Sequence, residues 1–265
     1  MTKPISFIGT GKMATALIGS IYKNKLNYEV TASDHQEENL RKINSKFNNI
    51  KTTLSNKEAV RNSEIVFICV KPQVISEVLN EIKNEIKNQL VVSIAAGIKI
   101  QNIEKIIGKK RIIRVMPNVN CLVGEMAAVF AAGKNANKKD AEEVSKLLNG
   151  SGISFLVKEE QIDAFSVISG AGPAFFAYFI KGIAEAGIKN GLKKEIAYQL
   201  AAKTALGTGK LLLETKITPD ELINMVASKK GTTEAGLKVL DKCKVKKILE
   251  KTVDAAYKRS RELGK

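Results

Sequence analysis

Ile5-Ser6-Phe7-Ile8-Gly9-Thr10-Gly11-Lys12-Met13-Ala14 is the stretch on which the reading of the chain turns. Ile5 to Ile8 is a short β-rich run, and Met13, Leu17, Ile18 and Ile21 follow at helical spacing, so the segment predicts strand, glycine turn and helix. Gly9, Gly11 and Ala14 hold the small positions that let a backbone approach a pyrophosphate, which then sits against the helix amides. A second strand, Tyr28 to Ala32, leads to Ser33-Asp34, 23 positions past Gly11, where the adenosine ribose of a dinucleotide is normally read. The placement predicts a nicotinamide dinucleotide, contacted by Gly9, Thr10, Gly11, Lys12, Met13, Ala14, Ser33 and Asp34. Asp34 suits a free 2′-hydroxyl and favours NADH locally, whereas Ser33 and nearby basic residues suit the 2′-phosphate of NADPH. His35 either stacks on adenine or caps the next helix, and capping is the preferred reading.

Outward from this turn, strand and helix signals alternate. Helices are predicted over Gln36 to Phe47, Val74 to Ile86, Ile100 to Ile107 and Lys138 to Leu148. Strands are predicted at Ile65 to Val70, Leu90 to Ala96, Arg111 to Met116, Met126 to Ala132 and Ser154 to Val157. The pattern is α/β: an N-terminal Rossmann-type doubly wound sheet over residues 1–158. Val70-Lys71-Pro72 follows the most apolar strand, at the carboxyl edge where such sheets bind ligands. Lys71 there either approaches phosphate or carboxamide or is a solvated residue before a helix opened by Pro72. Beyond Lys158 only helices are predicted, so residues 159–265 form an all-helical domain. Ala174, Phe175, Tyr178, Phe179, Ile183 and Ala186 make an apolar band broad enough to need a partner. With Gly182, Ala184, Ala186 and Gly187 permitting close helix approach, a helix-mediated dimer is expected.

Composition narrows the chemistry. Across 265 residues the apolar share is 44% and the charged share 26%, which supports a real core. The single histidine, His35, excludes Ser-His and Cys-His relays and multi-histidine metal sites, so a cofactor is expected to carry any reaction. Cys69, Cys121 and Cys243 are far apart, encode neither a disulfide framework nor a thiolate metal site, and read as core-filling thiols. The net charge of +16 divides evenly between 1–160 and 161–265, and six of the 43 basic residues are Arg, which argues for a solvated lysine surface over nucleic-acid binding. No run approaches a membrane span of about 18 apolar residues and no export signal opens the chain, so the expected location is the cytoplasm.

Several segments together resemble one family. Val70-Lys71-Pro72-Gln73, Ser93-Ile94-Ala95-Ala96-Gly97-Ile98, Arg114-Val115-Met116-Pro117-Asn118, Leu122-Val123-Gly124-Glu125, Ser169-Gly170-Ala171-Gly172-Pro173-Ala174 and Gly231-Thr232-Thr233 resemble, in order and spacing, pyrroline-5-carboxylate reductase. The resemblance implies NAD(P)H-dependent reduction of 1-pyrroline-5-carboxylate to proline. It implies a homodimer, alone or as a decamer of dimers, with active sites shared between the Rossmann domain of one subunit and helices of its neighbour. It implies Thr233 as hydroxyl donor beside the ring nitrogen; a helix cap is its alternative role. Substrate falls to Ser228, Gly231, Thr232 and Thr233, and cofactor to Val70, Lys71, Pro72, Ala95, Ala96 and Gly97 besides the glycine turn. Asn118 serves nicotinamide or substrate, or satisfies backbone groups after Pro117.

The chemistry is compatible, since a protonated cyclic imine is already electrophilic and needs orientation and one donor more than a strong acid. The free amides opening the helix at Gly231 suit a carboxylate. The chain departs from the family pattern at Val119-Asn120 and at Ser228-Lys229-Lys230-Gly231, where side chains replace a proline and a glycine. That second departure motivates two alternatives: a reductase of another cyclic imine or a hydroxy acid, and a nucleotide-binding member without turnover. Lys181 and Lys189 match no motif for hydroxy-acid chemistry.

Overall fold

The structure, a computed structural model, describes residues 2–263. In chain order the first part runs β1 (Lys3–Ile8), α1 (Lys12–Lys23), β2 (Tyr28–Ser33), α2 (Glu37–Asn44), β3 (Lys51–Thr53), α3 (Asn56–Arg61), β4 (Ile65–Ile68), α4 (Ile75–Ile82), β5 (Leu90–Ser93), α5 (Ile100–Ile107), β6 (Arg111–Met116), β7 (Met126–Ala132), α6 (Lys138–Asn149) and β8 (Gly152–Leu156). The strands form one sheet in the order β3-β2-β1-β4-β5-β6-β7-β8. Strands β1 to β6 are parallel; β7 runs antiparallel to β6, and β8 parallel to β7. The reversal was not foreseen, yet it has a simple cause. The link 117–125 is too short for a crossover back to the starting edge, which needs a dozen or more residues.

The apolar runs make the sheet because both of its faces are covered. On one face Ile5, Phe7 and Phe67 pack with Leu17, Ile18 and Ile21 of α1 and Val144 and Leu147 of α6. The Phe7 and Phe67 rings stack with centroids 4.9 Å apart. On the other face Ile8, Val66 and Ile68 meet Ile75, Leu79 and Ile82 of α4 and Ile100, Ile103 and Ile107 of α5. Cys121 is buried in this unit and Cys69 half-buried, but Cys243 is exposed, so it does not fill a core as expected.

The helical part comprises α7 (Ile162–Ser166), a π-helical turn (Val167–Ala171), α8 (Gly172–Lys189), α9 (Lys194–Thr215), α10 (Pro219–Val226), α11 (Thr232–Lys242) and α12 (Val245–Leu263). The chain separates into two compact units: one ends at Gly170 and includes α12 from Tyr257 onward, the other is Ala171–Ala256. This division is one of packing; the expected boundary after Lys158 marks where strands give way to helices, β8 ending at Leu156. Residues 1, 264 and 265 of the expected domain bounds lie outside the described residues.

Residue Arg114 shows why α7 stays with the first unit. Its guanidinium is buried on β6, 3.3 Å from Glu159 and 3.5 Å from Asp163 of α7, and Glu159 also accepts the Ile100 amide at 2.7 Å. Arg114→Leu leaves two partly buried carboxylates without their cation and is expected to cost about 3 kcal/mol, read as a lower urea midpoint. A loss below about 1 kcal/mol would show that the pairing is incidental.

In the second unit α8 turns Ile180, Ala184 and Ile188 toward Ala197, Tyr198 and Ala201 of α9. Two of the small residues reserved for a dimer contact serve here instead. Ala184 is buried against α9, and a Cβ on Gly187 would lie 3.1 Å from Leu192. Of the expected partner-seeking band, Tyr178, Phe179 and Ile183 are exposed and Phe175 is half-buried; the neighbouring Phe176 is exposed too.

Candidate active site

In the first unit, the carboxyl ends of β1, β2 and β4 frame a cleft of about 620 Å³. Gly9, Thr10, Gly11, Asp34, Val70 and Lys71 line it, as the sequence predicted, joined by Asn39, Asn56, Glu77 and Glu81, which it did not single out. Gly9 has φ +88°, and an added Cβ would lie 3.0 Å from the Cys69 carbonyl oxygen, so the turn requires glycine there. Gly11 differs: its added Cβ meets no protein atom within 4 Å, which leaves the approach to α1 open for a ligand. Ala14 is fully buried and sets the packing of α1 on the sheet. Met13 points to Cys121, their sulfurs 3.2 Å apart, rather than into the cleft. Ala95, Ala96 and Gly97 follow the carboxyl end of β5, Gly97 with φ +77°.

Asp34 is held by four hydrogen bonds. One carboxylate oxygen accepts the Thr10 amide at 3.0 Å and the Thr10 hydroxyl at 2.8 Å; the other accepts the Gln36 amide at 3.0 Å and the Asn39 side chain at 3.2 Å. Both oxygens therefore pin the glycine turn to the end of β2 and the start of α2, while the residue still lines the cleft. Burial opposes its charge, but the donors from Gln36, Thr10 and Asn39 prevail and hold the carboxyl below its ordinary value. Stability contributed by Asp34 is complete above the unfolded-chain pKa of about 3.9 and is lost as pH falls through the lower folded value. Carbon NMR titration of this carboxyl is expected to give a midpoint below about 3.9, and a higher one would contradict the four-donor account.

His35 does not cap α2. The cap position is Gln36, with no side-chain bond, while His35 is 86% exposed with Nδ1 3.6 Å from Asp34. Ser33 donates to Asn56 at 2.8 Å, and Asn56 donates to Glu81 at 2.8 Å, a chain joining β2, α3 and α4. Asn118, also buried, accepts the Ala127 amide at 3.1 Å and donates to the Ser169 carbonyl at 3.0 Å. Its side chain thus ties β7 to the π-helical turn, the backbone-satisfying role among those considered. Burial of its sulfur raises the Cys69 thiol above its usual range.

The second unit holds the other candidates. Ser228 to Gly231 form a tight turn, the Gly231 amide donating to the Ser228 carbonyl at 2.9 Å, and Gly231 caps α11 without a side-chain bond. Lys230 takes φ +60° where the family pattern has glycine, and its amide donates to Glu234. The departure therefore leaves the turn in place. Thr233 is not a cap either: it lies within α11, its hydroxyl makes no hydrogen bond among the described residues, and it lines an apolar cavity of about 580 Å³ with Leu211, Leu222, Val226 and Leu237. Thr232 opens the helix and is exposed. No group of three or more metal-ligating side chains occurs among the described residues.

A glycine turn at the end of β1, on a sheet reversing direction of strand order at β1 and β4, followed by a helical segment, defines a dinucleotide-binding oxidoreductase of the Rossmann class. Residues 159–263 match the family model for pyrroline-5-carboxylate reductase dimerisation, and 4–97 match that for NADP oxidoreductase, coenzyme F420-dependent. The chain is 38% identical to pyrroline-5-carboxylate reductase of Methanosarcina acetivorans, with 98% of each chain covered. It is 36% identical to that of Pseudomonas aeruginosa, covering 99% of this chain and 97% of the relative. Among solved structures, pyrroline-5-carboxylate reductase of Coxiella burnetii superimposes with a TM-score of 0.95 at 31% identity over 100% of both chains. Pyrroline carboxylate reductase of Plasmodium falciparum, with NADP bound, gives 0.86 at 30% identity over 99% of this chain and 98% of that one. The chain belongs to the pyrroline-5-carboxylate reductase family.

Proposed function

We propose that the protein reduces 1-pyrroline-5-carboxylate to L-proline, the last step of proline biosynthesis, with NADPH as the donor and NADH as a second one. Full-length similarity to enzymes of that name carries the reading. The bound dinucleotide supplies a hydride. The residues fit it: the open approach at Gly11 and the uncapped amides of α1 suit a pyrophosphate. Lys71 stands at the cleft to meet its charge.

On the substrate side the uncapped amides of α11, at its positive end, suit the ring carboxylate. The unbonded Thr233 hydroxyl suits the ring nitrogen, and the apolar cavity beside it suits the methylenes of a five-membered ring. Ser228 and Gly231 shape the approach through their turn.

We further infer a homodimer, supported by the dimerisation model and the exposed band of α8. The helical stretch 159–189 reaches a mean hydropathy of 1.4, enough by length and composition to cross a membrane. A second subunit accounts for it as well, and the proposal takes that partner. A cytoplasmic location belongs to the same reading, supported by three free thiols, Cys69, Cys121 and Cys243.

The test is incubation of the purified protein with pyrroline-5-carboxylate and NADPH, following loss of the reduced cofactor and appearance of proline. Failure to form proline with either NADPH or NADH overturns the activity. Light scattering reads the assembly: a dimer or a decamer of dimers supports the inference, a monomer overturns it.

A further inference from the structure

The end of β2 carries more negative charge than a site built for a phosphate should. Asp34 is buried there, and its four hydrogen bonds prevent the carboxylate from swinging away. Next to it the Ser33 hydroxyl bonds Asn56, whose amide nitrogen is held by the Glu81 carboxylate at 2.8 Å. Glu77 lines the same cleft, and its cationic side chains are Lys71, on the β4 side, and the exposed His35 when protonated. Among the described residues no arginine, the side chain that best matches a phosphate in fork geometry, lines it.

In sheets of this topology the adenosine ribose is read at the end of β2, beside residues 33 to 35. A 2′-phosphate there would be bound near two carboxylates, whereas a 2′-hydroxyl would donate to acceptors. We propose that Glu81, acting with the immobile Asp34, is a specificity determinant that weakens binding of the 2′-phosphorylated dinucleotide relative to the unphosphorylated one. The proposal rests on the dinucleotide reading above. Glu81 acts in two ways: its charge faces the region of the 2′ substituent, and it orients the Asn56 amide so that the carbonyl side is left to Ser33.

Asp34 is a poor residue to test, because an asparagine would present an amide to donors that now converge on a carboxylate. Glu81 lies exposed on α4, so Glu81→Gln removes the charge and keeps an acceptor for Asn56. Calorimetric titration with adenosine 2′,5′-bisphosphate and with AMP, which differ only by the 2′-phosphate, isolates that position without turnover. Glu81→Gln is expected to tighten binding of the bisphosphate at least threefold relative to AMP, and the ratio of NADPH to NADH dissociation constants should move in the same sense. A smaller change in the ratio, or an equal change in both affinities, overturns the proposal and identifies Glu81 as structural. If the wild-type protein binds none of these nucleotides, the dinucleotide reading itself falls, a result distinct from an unchanged ratio.

Discussion

Gly11→Val is expected to raise the dissociation constant for NADPH at least 100-fold while changing stability by about 1 kcal/mol or less, whereas Gly9→Ala should damage the fold itself. The two glycines sit two residues apart, yet their surroundings differ. At Gly11 the backbone has φ −64° and ψ −179°, a conformation open to any residue, and no protein atom lies within 4 Å of an added Cβ. A valine there costs little in the empty protein beyond a poorer helix cap. What it fills is the approach to the α1 amides, where a pyrophosphate must come close. At Gly9 the φ of +88° disfavours any L side chain, and the Cβ would press on the Cys69 carbonyl and Val70 at 3.0 Å. Together these effects cost about 3 kcal/mol. Fluorescence titration with NADPH and urea unfolding separate the variants. Tight NADPH binding by Gly11→Val would remove the glycine turn from the site.

Legibility followed burial. Strands β6 and β7 and helix α5 end where the sequence placed them, because each is an apolar run or stripe whose length is set by the core it fills. Strand β3 was invisible: Lys51-Thr52-Thr53 is short, polar and at the edge of the sheet, so no periodicity marks it. With β3 went α3, and with α3 went Asn56, which stands at the first position of that helix behind the Ser55 cap. Asp34 was found by its distance from the glycine turn. Its inward hydrogen bonds to Thr10 were not, because they depend on how β1 and β2 pair, Ile8 opposite Ser33. In the second unit the helices were foreseen; the Thr218–Glu221 capping box that starts α10 was not singled out. The allocation of small residues on α8 between α9 and a partner was not foreseen, since both demand the same composition.

Thr233→Val is expected to lower kcat about 100-fold with a smaller change in KM, and to leave helix content and assembly unchanged. Valine keeps the shape and β-branching of threonine and removes only the hydroxyl. In the present structure that hydroxyl bonds no described residue and caps nothing, so its removal leaves no buried group unsatisfied. The cavity it lines is otherwise mostly Leu, Ile and Val, and the substitution adds one more apolar group to that wall. A structural role would therefore predict a neutral or slightly stabilising change. Reduction of a cyclic imine makes a different demand: charge on the ring nitrogen falls as hydride arrives at carbon, and a hydrogen-bonding group at fixed distance follows the nitrogen from cation to amine. One such group is worth about 100- to 1000-fold in rate when water is excluded. Because the interaction strengthens along the reaction, its loss falls on kcat rather than on substrate binding, which the α11 amides retain. Thr233→Ser restores the hydroxyl and should recover most of the rate. If valine and serine variants lose activity equally, packing at the α11 entrance and not the hydroxyl governs turnover.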